Sequence, residues 1–207
     1  MRKNNRRPRD PLEPERLRVQ TEWNRNHSAR REEIALRVPA GGIGAEIGVD
    51  TGQLTRRFME LNRFHKFYAV DRWNDRAHSE YQFQAVAEKL KIFDRCKVYR
   101  MTALDFAEIV PDNYFDFIYI DCYAHTGQDD GAVLAAMWPK LKPGGLFSGD
   151  DYDPKKWPKT VAEVNAFANQ HDYEISIHSP VLRNTAGKMD QADAWYFYKR
   201  GEDSGKA

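Results

Sequence analysis

The run Phe115–Ile120 (FDFIYI) places the tightest limit on how this chain can fold. Five of its six residues are apolar, and polarity returns at once at Asp121. A run this short, rich in aromatic and β-branched residues, predicts a buried strand rather than a helix. We therefore expect a sheet whose central strand ends at Asp121.

Six further strand-like runs, and the spacings between them, predict the architecture. Helix-length segments separate most of the runs, as in parallel sheets that are covered by helices. No helix-length pattern separates the last two runs, so we expect them to pair as an antiparallel hairpin. The prediction is an α/β fold with a seven-stranded, mostly parallel sheet that ends in an antiparallel C-terminal hairpin. The six runs are residues 45–49, 67–70, 97–101, 146–149, 173–177 and 194–198.

The N-terminal part of the chain differs in charge from the rest. Residues 1–37 carry eleven basic and six acidic side chains, whereas the net charge of the 207-residue chain is only +1. Residues 1–14 contain three prolines and little apolar surface, which predicts a flexible tail. A nucleic-acid-binding arm is the alternative, although the segment lacks aromatic residues for base stacking. We expect residues 1–37 to form a basic tail and docking helices, residues 38–200 the main domain, and residues 201–207 a flexible tail.

Composition excludes several classes of protein. A net charge of +1 gives no field strong enough to nominate nucleic acid or a membrane as the main partner. Cys96 and Cys122 are too few for a disulfide framework or a thiolate zinc site. No segment approaches the roughly 20 apolar residues of a membrane span, and the N-terminus lacks a secretory apolar region. We expect a cytoplasmic protein, and the sequence leaves open whether it is a homo-oligomer.

The turn after the first strand is the first candidate for ligand binding. Ligands of open α/β sheets bind beyond the carboxyl ends of the strands. Residues 46–52 (EIGVDTG) lie there, and Gly48 and Gly52 let the backbone turn tightly and approach a ligand. The glycines of residues 41–44 precede the strand, so we expect them to form a flexible lead-in turn.

The ends of the next two strands carry further candidates. Asp71 follows the second strand, where a carboxylate can accept hydrogen bonds from both hydroxyls of a ribose. Thr102 and Ala103 follow the third strand and are placed to frame an adenine. Together these positions predict a nucleoside site at one edge of the sheet.

Four segments in register resemble the successive motifs of class I S-adenosylmethionine-dependent methyltransferases. They are residues 46–52, 70–73 (VDRW), 115–121 (FDFIYID) and 141–145 (LKPGG). The likeness covers roughly residues 40–200 and includes the terminal hairpin. It implies a Rossmann-like methyltransferase sheet with S-adenosylmethionine as cofactor. The implied cofactor contacts are Glu46, Gly48 and Gly52 for the methionine part, Asp71 for the ribose, and Thr102 and Ala103 for the adenine.

A narrower likeness concerns the ends of strands four and five. Residues 120–125 (IDCYAH) and 149–152 (GDDY) are similar to the macrocin-type sugar O-methyltransferases, in which carboxylates at these strand ends hold magnesium. The resemblance implies Asp121, Asp150 and Asp151 as ligands. Neighbouring strands lie about 4.8 Å apart, Mg²⁺ prefers oxygen ligands, and three close carboxylates without a counterion would repel. The alternative is an acidic turn without a metal.

The resulting hypothesis is methyl transfer to a hydroxyl of a small molecule, assisted by Mg²⁺. Asp121 and His125 are the candidate catalytic residues, and the pKa of a histidine near neutrality suits a general base. Two other classes stay open. A nicotinamide-dependent oxidoreductase would share Asp71 but would need the full glycine fingerprint. A non-catalytic module that keeps the cofactor fold would look much the same in one sequence.

Overall fold

The computed structural model describes residues 10–27, 30–75, 78–183, 189–191 and 193–201. One mixed sheet organises these residues, in the strand order β3-β2-β1-β4-β5-β9-β6. Strands β7 and β8 form a separate two-stranded hairpin. The strands are β1 (Gly42–Ile47), β2 (Phe64–Asp71), β3 (Cys96–Arg100), β4 (Phe115–Ile120), β5 (Leu141–Gly149), β6 (Ser176–His178), β7 (Val181–Arg183), β8 (Met189–Gln191) and β9 (Ala194–Tyr198).

Helices cover both faces of the sheet. They are α1 (Glu13–His27), α2 (Gln53–Glu60), α3 (Glu80–Leu90), α4 (Ala103–Ile109), α5 (Gly127–Asp130), α6 (Ala132–Met137) and α7 (Pro158–Gln170). Three 3-10 helices cover Arg31–Arg37, Ala124–Thr126 and Trp138–Lys140. Among the described residues, no helix has the length and apolar character to cross a membrane.

The predicted sheet is confirmed. Strands β1 to β5 run parallel to one another. Strand β9 pairs antiparallel with both β5 and β6, which is the terminal hairpin expected from the sequence. The run at Phe115–Ile120 is a strand with those bounds, and it lies between β1 and β5 near the centre of the sheet.

One glycine-rich segment was predicted incorrectly. Gly42 and Gly44 belong to β1 rather than to a turn, because the neighbouring Ile43 N–H donates to the Asp116 carboxylate, N to Oδ2 2.7 Å. Residues 143–145 lie within β5, so this strand begins earlier than the run 146–149 identified from the sequence. The pairing of β4 with β5 shifts register there, so the glycines form an irregularity in the strand.

The segment before β1 packs on the sheet. Side chains alternate along a strand, so Phe117 and Tyr119 face α2 while Ile118 and Ile120 face the opposite layer. Ile34, in the first 3-10 helix, is fully buried in the cluster around Phe117. This 3-10 helix therefore contributes buried side chains to the core. Helix α1 begins at Glu13, inside the predicted tail, whereas residues 1–9 and 202–207 lie outside the described residues. The domain boundaries stay a prediction.

Candidate active site

The carboxyl ends of the parallel strands frame one cleft. It is lined by residues from the loops after β1, β2, β3 and β4. Four residues singled out from the sequence meet there: Gly48, Asp71, Ala103 and Asp121. The other lining residues are Ile47, Asp50, Val70, Arg72, His78, Met101, Cys122 and Tyr123. These four residues therefore share one cleft, and their contacts with a ligand stay predictions.

Gly48 follows β1 directly and lies beside Asp121, which follows β4. Its φ is +95°, and a Cβ at this position would lie 2.0 Å from the backbone oxygen of Asp121. The Gly48 N–H donates to the Val70 oxygen at 2.8 Å, and the Asp121 N–H donates to the Ile47 oxygen at 2.7 Å. These bonds hold three strand ends at fixed positions around the cleft, and only glycine fits between them.

Asp71 organises the loop after β1. Its Oδ2 atom accepts hydrogen bonds from the N–H groups of Val49 and Asp50, both at 2.9 Å. The other oxygen, Oδ1, has only a long contact of 3.4 Å with the Trp73 nitrogen. A carboxylate offers about four lone-pair positions. Asp71 can therefore hold the loop with one oxygen and keep acceptor capacity on the other.

Asp50 joins the cleft to α1, which the sequence did not reveal. Gln20 donates from Nε2 to Asp50 Oδ1 at 2.7 Å, and Asn24 donates from Nδ2 to Asp50 Oδ2 at 2.6 Å. The Gln82 amide donates to the same carboxylate, and His78 Nε2 lies 3.7 Å from it. Burial raises the pKa of Asp50 although these hydrogen bonds oppose the shift. Gln20 and Asn24 are isolated amides on a charged helix, and no sequence pattern marks them as partners of Asp50.

Three of the predicted cofactor residues do not line the cleft within the described part of the chain. Gly52 adopts φ +71° at the start of α2. Thr102 caps α4 by accepting a hydrogen bond from the Asp105 N–H at 3.1 Å. Glu46 is 1% exposed and accepts a hydrogen bond from the Thr55 hydroxyl. These positions support the cleft from behind, and their contacts with the cofactor stay predictions.

Glu46 is expected to make stability depend on pH. Burial raises the pKa of its carboxyl well above the usual value, against the opposing effect of the Thr55 hydrogen bond. A folded pKa above the unfolded one gives stability that is present at low pH and is lost as pH rises through the folded pKa. Glu46→Gln cannot ionise. It is therefore expected to raise the free energy of unfolding at about pH 8 by on the order of 1 kcal/mol, and the gain is expected to shrink towards about pH 4.

Urea unfolding at several pH values measures this effect. Glu60→Gln is the matched control, because Glu60 is exposed on α2 and pairs with Arg56 at 2.8 Å in solvent. The explanation is wrong if the parent protein and Glu46→Gln lose stability equally between about pH 5 and about pH 8.

The three carboxylates predicted to bind magnesium have a different partner. Arg31 forms an ion pair with Asp150, whose side chain is 2% exposed. Burial, together with Asp150 and Asp151, raises the pKa of Asp121 well above its usual value. Burial and Asp150 raise the pKa of Asp151 to about 7. Arg31 was not identified from the sequence, because nothing near it marks it as a partner of distant aspartates.

The residues present do not fit a magnesium site. Across the described ranges, no group of three or more His, Cys, Asp or Glu side chains is arranged to hold a metal ion. A guanidinium takes the position of the counterion that the sequence argument required. The expectation of magnesium ligands at Asp121, Asp150 and Asp151 is therefore not supported, because Arg31, a residue remote in the sequence, already pairs with Asp150.

His125 lies apart from the cleft lining. It belongs to the 3-10 helix Ala124–Thr126 and is exposed. Its ring packs edge-on against Trp157, with the centroids 4.7 Å apart. Tyr123, two positions earlier, does line the cleft, and the Arg72 guanidinium lies 5.4 Å from the centre of its ring. A role for His125 as general base stays a prediction.

The sheet order and the strand-end cleft define a class I methyltransferase fold with a Rossmann-like sheet. A family model described as a methyltransferase domain matches residues 45–152, which is more than half of the chain. The chain belongs to this family and is an S-adenosylmethionine-dependent methyltransferase. Membership of this family argues against the alternative that the chain is a nicotinamide-dependent oxidoreductase. No curated protein matches the sequence.

Solved structures of low identity share the fold. An S-adenosylmethionine-dependent methyltransferase from Aquifex aeolicus is 16% identical with a TM-score of 0.61, over 88% of this chain and 96% of that one. A candidate S-adenosylmethionine-dependent methyltransferase from Methanococcus maripaludis is 16% identical with a TM-score of 0.63, over 97% and 98%. Precorrin-6y C5,15-methyltransferase from Geobacter metallireducens GS-15 is 13% identical with a TM-score of 0.62, over 83% and 86%. These likenesses support the fold alone.

Proposed function

We propose that this methyltransferase binds S-adenosylmethionine in the strand-end cleft and methylates a hydroxyl of a small molecule. The observation that carries the proposal is the convergence of Gly48, Asp71 and Asp121 on one cleft. When bound, S-adenosylmethionine supplies a methyl group that is already activated on a positively charged sulfur. The protein then has to hold the cofactor and the acceptor, align them for transfer and exclude water.

The residues of the cleft fit the cofactor chemically. The turn at Gly48 brings the backbone against the ligand without a side chain, which suits the methionine part. Asp71 accepts hydrogen bonds from the ribose through Oδ1, since Oδ2 is taken by the loop N–H groups. Ala103, which is buried and small, lines the cleft beside Met101 and leaves a flat apolar surface for the adenine.

Asp121 is the proposed link to the acceptor. Asp121 lines the cleft at the end of the central strand. A hydroxyl donates a hydrogen bond to such a carboxylate, which then takes the proton as the oxygen attacks the methyl group. The likeness of residues 120–125 and 149–152 to macrocin-type sugar O-methyltransferases supports a hydroxylated acceptor such as a sugar. No step is assigned to a metal ion.

Calorimetric titration followed by a transfer assay tests the proposal. We expect S-adenosylmethionine to bind and NAD not to bind, because the cleft has the residues of a methyltransferase site. Labelled S-adenosylmethionine is then expected to give a methylated product with hydroxylated sugars or phenols. Binding without any product across such a panel would favour a non-catalytic cofactor module, and transfer only to amines would contradict the hydroxyl acceptor.

A further inference from the structure

One buried guanidinium compensates the acidic ends of β4 and β5. The Nη1 atom of Arg31 pairs with Oδ2 of Asp150, and the Arg31 side chain is only 15% exposed. The charges of Asp121 and Asp151 also act favourably on Arg31. Arg31 thus pairs directly with Asp150 and acts electrostatically on the other two carboxylates that the sequence assigned to magnesium. Lys156 adds a second favourable charge near Asp151.

Arg31 is held in place by a rigid element rather than by a mobile tether. It begins the 3-10 helix Arg31–Arg37, in which Ile34 and Ala35 are fully buried in the core. At the other end of this helix the Tyr198 hydroxyl donates to the Arg37 oxygen at 3.1 Å. Moving this helix away from the carboxylates would expose these buried apolar side chains, so the backbone that carries Arg31 is fixed beside Asp150.

For electrostatic reasons, Arg31 and a divalent cation are alternative positive charges for the same carboxylates. Buried carboxylates are costly unless a partner neutralises them. A guanidinium presents N–H groups in a planar fork, and it stays charged at every accessible pH. A divalent ion placed among the same carboxylates would lie next to this fixed positive charge and would be repelled.

We propose that Arg31 replaces the divalent cation in this methyltransferase, as a built-in counter-charge for Asp121, Asp150 and Asp151. The site then neither requires nor binds magnesium. What this inference says about catalysis rests on the proposed function, because it is the proposed function that places an acceptor beside Asp121. Arg31 is a positioning residue: it fixes the carboxylates and does not touch the reacting atoms.

Thermal unfolding of the full chain, in the presence of Mn²⁺ or of a chelator, tests the proposal. The parent protein is expected to have the same Tm in both solutions. Arg31→Gln leaves the carboxylates uncompensated, so its Tm in chelator is expected to fall. Mn²⁺ at about a hundredfold excess over Kd is expected to raise the Tm of this variant by about 5 °C or more. Arg30→Gln is the matched control, because Arg30 pairs with Glu33 in an exposed position, and it is expected to behave like the parent.

Either of two results would overturn the proposal. One is a parent protein that Mn²⁺ stabilises and chelator destabilises. The other is a folded Arg31→Gln variant that gains nothing from Mn²⁺. If this variant does not fold, the double variant Arg31→Gln/Asp150→Asn provides the test instead. Removing both partners of a buried ion pair is better tolerated than removing one. The double variant is expected to unfold cooperatively and without response to Mn²⁺, and failure to fold would contradict the counter-charge role.

The same samples separate this inference from the proposed function. Methyl transfer by the parent is expected to proceed at an unchanged rate in chelator, with S-adenosylmethionine bound as before. If S-adenosylmethionine does not bind, the function fails while the cation measurements still decide the role of Arg31. If transfer occurs but stops in chelator, the function stands and the counter-charge proposal fails.

Discussion

Replacing Gly48 with alanine is expected to cost about 4 kcal/mol of stability, from positive-φ strain and from overpacking together. The new Cβ would lie 2.0 Å from the backbone oxygen of Asp121 and 2.5 Å from its carbonyl carbon. Both atoms follow directly from the central strand, so neither can move without disturbing the pairing of β1 with β4. Urea unfolding measures the loss, and we expect S-adenosylmethionine binding to be lost with it.

Gly41→Ala is the control that separates the cost of the steric clash at Gly48 from the cost of a positive φ. Gly41 has a φ of +87°, close to that of Gly48, but a Cβ there meets no atom within 4 Å. It is expected to cost only about 1 kcal/mol, which is the lower end of the strain for a positive φ. Equal losses for the two variants would show that the approach of β1 to β4 does not constrain residue 48.

Replacing Asp71 with asparagine is expected to weaken S-adenosylmethionine binding by about 10- to 100-fold, which corresponds to the loss of a charged hydrogen bond. The variant loses the charge that two loop N–H groups and the ribose would share. An amide also has only one acceptor atom. It therefore cannot serve the loop and the ligand as a carboxylate does. Calorimetric titration of the folded variant measures the affinity.

Asp116→Asn provides a matched control at the amino end of the central strand, away from the cleft. Asp116 also accepts a hydrogen bond from a strand N–H, that of Ile43 at 2.7 Å, and pairs with Lys142 at 2.9 Å. This substitution perturbs the same kind of contact away from the cleft, so the affinity is expected to stay at the parent value. An unchanged affinity in Asp71→Asn would remove the ribose assignment.

The sequence predicts the sheet well because strand signals are local. Phe115–Ile120 is identified by its own composition, and the terminal hairpin follows from the lack of a helix between two runs. Strand ends must converge in a parallel sheet, so Gly48, Asp71 and Asp121 were found together. The start of β1 was missed because glycines suggest a turn, whereas a distant carboxylate, that of Asp116, makes them part of the strand.

The magnesium hypothesis lacks support for a related reason. Three aspartates at neighbouring strand ends do require a positive charge, and this inference from the sequence was sound. Their local pattern cannot say whether that charge is a metal ion or a side chain. Arg31 lies in a charged segment far from them in sequence, and only the folding of Ile34 and Ala35 into the core brings it to the carboxylates.

The contacts of Gln20, Asn24 and Arg31 have a practical consequence for engineering. The stretch that precedes β1 supplies hydrogen bonds to Asp50 and a charge to Asp150. A shortened protein that keeps only the sheet and its later helices would therefore lose the hydrogen bonds to Asp50 and the ion pair of Asp150. Grafting the corresponding stretch from a homologue would succeed only if the graft carried matching amide and guanidinium groups.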